Sequence, residues 1–363
     1  MTGSRCIELT DRSRNESLSK DKNDVRRLKV RFYYPSEEDP DNGPVRLLDE
    51  NILKEAGIQD PDFSCYDQRV RVYEDLKIKE GCFPLILFSH GYGCPAEQNS
   101  DLCSYLAEKG YVIASVAHTY ESSEVTFTDG TRIAFDDSLM KNRMKPFIPA
   151  YLNSLALNRL KMSPAKALKC FNRYQHRYDP FMMERVDEWT KDDLFVLSCI
   201  HEMTEDKASF LYHKIDFCHG VGAMGHSFGG AAAYRHCLND DEISCGVNMD
   251  GALYGEHLDK VNHKPFMQFT CREPDNFITR VFFFHDGPVH YLSFRDINHM
   301  GFTDLKLITD QKSFVGTSDP VKTMDTINEA HLAFFDRYLR QEDTENRNRL
   351  VLDESMLVRY EVL

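Results

Sequence analysis

The sequence predicts an α/β protein in which a mostly parallel central sheet is flanked by helices. One observation is the order of patterns along the chain, where the apolar runs 83–88 and 111–118 enclose a segment with helical spacing at 102–109. Strand, helix and strand in this order form the crossover unit of a parallel sheet. The other observation is the segment 220–233, in which an apolar strand passes through a sharp turn into a helix of small residues. The continuous apolar runs in these two patterns are typical of strands that are buried on both faces of a sheet.

Length and charge restrict the class of protein. The 363 residues include 44 Lys or Arg and 58 Asp or Glu, which gives a formal net charge of −14. This balance repels phosphates and argues against nucleic-acid binding. We expect one domain over residues 1–363, with a helical insertion over 138–215 between the fourth strand region and the strand at 220–226.

Cysteine usage and hydropathy bear on the compartment. The eleven cysteines are odd in number and form no CxxC pair. The first residues contain no apolar run typical of a signal peptide, and no segment approaches the apolar length of a transmembrane helix. We therefore expect a cytoplasmic protein with reduced thiols.

The N-terminal region predicts an antiparallel edge of the sheet. Apolar and polar residues alternate over 6–10 and over 28–34, which is typical of strands. The polar segment 11–27 between them is predicted to be a loop. A short surface hairpin is predicted over 125–135.

The pentapeptide Gly225-His226-Ser227-Phe228-Gly229 has the pattern of a nucleophile elbow. A serine at an abrupt strand-to-helix turn adopts a strained conformation that exposes its hydroxyl, and the crowding leaves room only for glycine two positions to either side. The following helix directs its unpaired N–H groups and positive dipole end toward the reacting centre. Ser227 is therefore the predicted nucleophile. The alternative is a tight turn without chemistry.

A second glycine-rich turn, Gly91-Tyr92-Gly93, follows the apolar run 83–88. An α/β-hydrolase with a nucleophile elbow places the second donor of its oxyanion hole at such a turn. The predicted donors are the main-chain N–H groups of Tyr92 and of Phe228, the residue after the serine. The alternative is a plain glycine turn.

A base and an acid must accompany the serine, because its hydroxyl is too weakly acidic to attack at neutral pH alone. The predicted base is His299, on the loop after the last predicted parallel strand. His290 begins that strand and should therefore lie at the opposite edge of the sheet, away from the serine. Neither His285 nor His290 has carboxylates at the spacing of a metal site, so no metal site is predicted. For the acid, Asp250 ends one strand and Asp275 follows the next, and the residues alone leave both open.

The segment 138–178 differs from the rest of this acidic chain. It carries nine Lys or Arg and no Asp or Glu, interspersed with apolar residues. One interpretation is a cap whose apolar face binds an acyl chain and whose basic face makes peripheral contact with an anionic head group or a membrane surface. The other is a helical insertion that packs on the body with solvated lysines.

Four motifs together resemble the platelet-activating factor acetylhydrolase family, including its plasma-type, type II and bacterial members. They are Ser89-His90-Gly91-Tyr92-Gly93, Gly225-His226-Ser227-Phe228-Gly229-Gly230, Met249-Asp250-Gly251 and Asn298-His299-Met300-Gly301-Phe302. The resemblance covers roughly residues 5–340 in the same order and is weakest over 138–178.

The resemblance implies an α/β-hydrolase fold and particular site residues. It implies Ser227 as the nucleophile, Asp250 as the acid, His299 as the base, and Tyr92 and Phe228 as the oxyanion donors. It also implies calcium-independent release of short or oxidised acyl groups from phospholipids, without a cofactor. The chain departs from the secreted member of the family in two ways, since residues 251–254 lack a tryptophan and no export signal is seen.

The expected reaction is ester hydrolysis through an acyl-enzyme, with a small-molecule ester or phospholipid-like substrate. A general carboxylesterase or polyester hydrolase would share every catalytic residue and differ only in substrate. A serine peptidase of the same fold would cleave amides. A non-catalytic binding protein on this scaffold would normally lack one of the three catalytic residues.

Overall fold

The computed structural model describes residues 1–136, 138, 162–271, 284–341, 349–350 and 352–363. The strands in this part of the chain are β1 (Thr2–Asn15), β2 (Val25–Pro35), β3 (Val72–Glu74), β4 (Phe83–Ser89), β5 (Val112–Ala117), β6 (Glu124–Thr126), β7 (Arg132–Ala134), β8 (Ile215–Asp216), β9 (Val221–His226), β10 (Ile243–Met249), β11 (Phe266–Thr270), β12 (Val289–Phe294) and β13 (Leu357–Val362). The α-helices are α1 (Glu50–Glu55), α2 (Ser64–Arg69), α3 (Ser100–Glu108), α4 (Pro164–Tyr178), α5 (Pro180–Glu205), α6 (Phe228–Asn239), α7 (Leu305–Ile308), α8 (Lys312–Val315) and α9 (Pro320–Phe335).

A single large sheet organises these elements, in the order β13-β12-β11-β10-β9-β4-β5-β2-β1-β3. The six strands from β12 to β5 run parallel to their neighbours. Antiparallel strands flank them, with β13 against β12 and β2 against β5. This is the mostly parallel sheet that the sequence predicts.

Helices cover both faces of the sheet, as the side chains of β4 show. Ile86 and Phe88 point into one apolar core, whereas Leu85 and Leu87 point into the other. Successive side chains of a strand lie on opposite faces, so a continuous apolar run is needed to fill both cores. Both faces of the parallel sheet are therefore covered, which leaves the edge at the carboxyl ends of its strands for a binding site.

The N-terminal edge differs in part from the prediction. The antiparallel pairing of 6–10 with 28–34 is confirmed. The prediction of a loop over 11–27 is wrong at its ends, because β1 continues to Asn15 and β2 begins at Val25. Some of the polar side chains there are buried in ion pairs, such as Arg26 with Glu16 at 2.6 Å, so their polarity does not indicate exposure to solvent. The predicted hairpin over 125–135 is confirmed as β6 and β7.

The insertion is described from residue 162 onward, as α4 and α5; the prediction for 139–161 lies outside the described residues. In α4, Leu168 and Phe171 are buried in an apolar core. The basic residues of α4 (Lys166, Lys169, Arg173 and Arg177) are exposed. In this helix the apolar face thus packs on the body and the basic face is solvated.

In the described ranges, no helix is both long enough and apolar enough to cross a bilayer. The cytoplasmic location stays a prediction.

Candidate active site

Ser227 stands at the turn between β9 and α6, with φ 55° and ψ −116°. This is an unfavourable conformation for a residue with a side chain. A Cβ on Gly225 would lie 2.2 Å from the carbonyl carbon of Gly229, and a Cβ on Gly229 would lie 1.9 Å from the carbonyl oxygen of Ser89. Both glycines are therefore required by the close approach of backbone segments, as the elbow pattern predicts.

The hydroxyl of Ser227 lies within hydrogen-bond distance of His299, with 2.9 Å between Oγ and Nε2. His299 begins a short turn of 3₁₀ helix, His299–Phe302, in the loop after β12. Its side chain is 40% exposed. The ring can therefore contact both the serine and a bound molecule from solvent.

Asp250 follows β10 and completes the chain of hydrogen bonds. Its Oδ2 lies 2.7 Å from Nδ1 of His299, and its Oδ1 accepts the main-chain N–H of Cys271 at 2.9 Å. Burial by itself would raise the pKa of Asp250, but the hydrogen bonds from His299 and Cys271 outweigh it and hold the pKa below its ordinary value. Asp250 therefore remains an ionised acceptor that can orient the imidazole. Asp275, the other candidate, lies outside the described residues.

The two predicted oxyanion residues are neighbours. Tyr92 follows β4, and Phe228 is the first residue of α6, so its main-chain N–H belongs to the helix end that has no intrahelical acceptor. Their rings meet edge to face with 5.5 Å between centroids. Trp189 and Tyr254 pack beside them in the same apolar cluster.

His226, inside the elbow, has a role that the motif alone did not reveal. Its ring is fully buried, and Nε2 donates a hydrogen bond to the main-chain carbonyl of His299 at 3.0 Å. Burial lowers the pKa of His226 to about 3, so the ring is neutral. No sequence signal distinguishes this residue, because the contact spans 73 positions.

The two remaining candidate histidines form hydrogen bonds within the protein. The ring of His290 lies 2.8 and 2.7 Å from the hydroxyls of Tyr360 and Tyr338. His285 Nδ1 lies 3.1 Å from the carbonyl of Gly287. Across the residues that the structure describes, no group of three or more His, Cys, Asp or Glu is arranged to hold a metal ion.

A mostly parallel sheet with a strained serine after a central strand, and an acid and a histidine on later loops, defines an α/β-hydrolase. The profile of the family described as "Platelet-activating factor acetylhydrolase, isoform II" matches residues 58–147 and 199–356, and the chain belongs to this family. The matched segments contain Tyr92, Ser227, Asp250 and His299. The unmatched segment 148–198 falls within the insertion.

Curated relatives agree with this family. The chain is 26% identical over 274 residues to a platelet-activating factor acetylhydrolase of Cavia porcellus, covering 71% of this chain and 58% of the relative. It is 23% identical over 290 residues to a probable 1-alkyl-2-acetylglycerophosphocholine esterase of Arthroderma benhamiae, covering 72% of this chain and 61% of the relative. The chain thus spans about three fifths of the length of these relatives.

A solved structure supports the fold over nearly the whole chain. A ferulic acid esterase from Streptomyces cinnamoneus superposes with a TM-score of 0.69 at 21% identity, covering 96% of this chain and 93% of the esterase. At this level of identity the likeness establishes the shared fold alone.

Proposed function

We propose that this protein is a serine-dependent carboxylic ester hydrolase that works through an acyl-enzyme intermediate. The observation that carries the proposal is the continuous pair of hydrogen bonds from Ser227 to His299 at 2.9 Å and from His299 to Asp250 at 2.7 Å, formed at a strained elbow. A serine, an imidazole and a carboxylate in this arrangement are what acyl transfer requires.

In the proposed first step, the Ser227 oxygen attacks the ester carbonyl carbon while Nε2 of His299 takes the hydroxyl proton. Asp250 keeps the proton of the other ring nitrogen, Nδ1, directed toward itself and stabilises the imidazolium that forms. His299 then gives its proton to the leaving alcohol as the bond between carbonyl carbon and ester oxygen breaks. Water repeats the sequence on the acyl-enzyme and releases a carboxylic acid.

Negative charge develops on the former carbonyl oxygen during both steps. We assign its stabilisation to the main-chain N–H groups of Tyr92 and Phe228. Two features support the assignment: Phe228 opens a helix at the elbow, and Tyr92 lies against it on the loop after β4. Fixed donors at such a position typically contribute about 10²–10³ to the rate each.

For the substrate, we propose phospholipid-like esters with a short acyl group. The support is membership of the acetylhydrolase family and the names of the curated relatives. The exposed basic side chains of α4 are compatible with an anionic head group or membrane surface, and that contact stays a prediction.

The test is hydrolysis of p-nitrophenyl esters of increasing acyl length, followed by phospholipids with a short or a long acyl group at the second position. Ser227→Ala and His299→Ala should each lower turnover by about 10⁴-fold or more, as loss of such a residue does in other serine hydrolases. Ser198→Ala is the matched control, since Ser198 is exposed on α5.

Each outcome of these assays supports either the proposed function or one alternative function. Turnover of acetate and butyrate esters with a steep fall for longer chains, and turnover of short-acyl phospholipids, would support the proposal. Simple esters hydrolysed without any phospholipid activity would favour a general carboxylesterase or polyester hydrolase. An inactive protein whose Ser227 does not react with a fluorophosphonate would favour a binding protein.

A further inference from the structure

A second set of Ser, His and Asp side chains lies beneath the loop that carries Tyr92. Ser89 Oγ is 3.1 Å from Nε2 of His118, and Nδ1 of His118 is 3.0 Å from Oδ2 of Asp192. These distances resemble those of the Ser227, His299 and Asp250 set. All three side chains are buried, at 3%, 0% and 0% exposure respectively. No substrate from solvent can reach Ser89 there, so this set does not supply a nucleophile.

Ser89 and His118 each have two hydrogen-bond partners in the buried set. Ser89 Oγ donates to the carboxylate of Asp193 at 3.0 Å, and a carboxylate can only accept. His118 thus lies between Ser89 on one side and Asp192 on the other, and each of its ring nitrogens has a hydrogen-bond partner.

The buried carboxylates around His118 are paired, as buried charges must be. Asp192 also accepts hydrogen bonds from Arg26 at 2.5 Å and from Arg14 at 2.8 Å. Burial alone would raise the pKa of Asp192, but Arg26 and His118 hold it well below its ordinary value. Asp193 is paired with the ring of His236 at 3.0 Å. The buried set is therefore held in place by hydrogen bonds and ion pairs.

One contact connects the buried set to the predicted oxyanion loop, and two more anchor that loop. The main-chain N–H of His118 donates to Nε2 of His90 at 3.2 Å. The carbonyl of His90 in turn accepts the N–H of Gly229 in the elbow at 3.1 Å. On the other side of the loop, the N–H of Gly93 donates to the carbonyl of Glu121 at 2.8 Å. Tyr92 lies between these anchored residues.

The ring of Trp189 also links His118 to the loop. It stacks on His118 with 3.8 Å between centroids and 11° between planes, and lies nearly parallel to Tyr92 at 6.2 Å. It also packs edge to face on Phe228 at 4.8 Å. Its indole N–H donates to Glu121 at 3.0 Å, which fixes the ring plane. One side chain thus contacts His118 and both residues whose N–H groups are assigned to the oxyanion.

We propose that Ser89, His118 and Asp192 are positioning residues that hold the Ser89–Gly93 loop, and with it the main-chain N–H of Tyr92, at the place where the oxyanion forms. The proposal rests on the proposed function, since it concerns the same reaction. A purely stabilising role would change only the stability of the fold. A positioning role also changes the reaction rate, because the N–H group must be in place when charge develops on the substrate oxygen.

The test compares Ser89→Ala and His118→Gln with wild type in two measurements, each normalised to active sites titrated with a fluorophosphonate. The first is kcat and KM for p-nitrophenyl acetate. The second is inhibition by a short-chain trifluoromethyl ketone, to which a catalytic serine adds to give a hemiketal whose oxygen occupies the oxyanion position. Ser104→Ala is the control, since Ser104 is 5% exposed and its hydroxyl donates to the Asp101 carbonyl within α3, away from the loop.

We expect both variants to lower kcat by roughly tenfold to a hundredfold with little change in KM, part of the effect of losing an oxyanion donor outright. The inhibition constant of the ketone should rise by the same factor as kcat/KM falls, whereas Ser104→Ala should change neither. Ser89→Thr keeps the hydroxyl and should restore most of the activity. If Ser89→Ala does not fold, His118→Gln and Ser89→Thr give the same comparison.

Unchanged kcat and ketone inhibition per titrated site, with only a lower melting temperature, would overturn the positioning role while leaving the hydrolase proposal intact. A parallel fall in Ser104→Ala would also overturn it, because any loss of a buried hydroxyl would then suffice. A wild type that hydrolyses no ester and does not react with the fluorophosphonate would refute the proposed function itself, and this proposal with it.

Discussion

His226 and His299 are joined by a hydrogen bond from the buried ring of the first to the main-chain carbonyl of the second, at 3.0 Å. Since burial lowers the pKa of His226 to about 3, its ring is neutral and the single N–H is committed to that carbonyl. Nδ1 of His226 has no hydrogen-bond partner within the described part of the chain. The elbow therefore fixes not only the serine but also the backbone of the histidine that the serine contacts.

We expect His226→Leu to lower kcat by about fivefold, the effect of losing one hydrogen bond worth about 1 kcal/mol in a geometry that catalysis needs. His226→Gln retains an N–H donor and should lose less. The measurement is kcat and KM for a p-nitrophenyl ester per titrated site. Equal losses in the two variants would show that ring volume matters and the hydrogen bond does not.

Asp250→Asn should lower kcat by about 10⁴-fold, because an amide in place of the carboxylate favours the wrong tautomer of His299. Asp275→Asn, the alternative that the residues alone left open, should leave kcat within about twofold of wild type, as expected for a residue outside a catalytic set. The check is a side-by-side rate comparison at neutral pH. A large loss in Asp275→Asn with an active Asp250→Asn would exchange the two assignments.

Gly251→Ala should impair the site although Gly251 lies outside the elbow motif. A Cβ there would lie 1.9 Å from the carbonyl oxygen of Ser227, and main-chain atoms cannot move aside cheaply. Displacement of Ser227 or Asp250 should reduce kcat by at least about tenfold. Gly43→Ala is the control, because nothing lies within 4 Å of a Cβ at that position. Similar activity in both variants would contradict the expectation.

Stability should fall at alkaline pH because of His236. Burial alone would lower the pKa of His236, but hydrogen bonds to Asp193 and Asp240 raise it from 6.5 to about 9. A folded-state pKa above the unfolded value means that the folded protein binds more protons between these values, so the stabilisation is complete below about pH 6.5 and is lost as pH rises through about 9.

The measurement is the free energy of unfolding by denaturant at several pH values from 6 to 9. Wild type should lose stability across this window, and His236→Gln, which does not titrate, should be less stable at pH 6 and show a flatter dependence. Parallel curves for the two proteins would show that another group causes the change.

Local patterns in the sequence predicted the elements that depend on neighbouring residues. The alternation of strands and helices and the elbow around Ser227 follow from periodicity and from glycine spacing, and the structure contains both. Polarity misled the prediction at the ends of 11–27, because Arg26 is charged yet lies within β2, buried against Glu16. Composition cannot separate a solvated charge from a paired one.

The sequence by itself determined the sheet class and the strained serine, because backbone crowding and apolar periodicity are encoded within a few adjacent residues. Only the tertiary structure decided that Asp250 meets His299 and that His226 holds the backbone of His299. The same applies to the buried contacts of His118 with Ser89 and Asp192, which span 29 and 74 positions. Such contacts arise because parallel strands bring their carboxyl ends, and the loops after them, to one edge of the sheet.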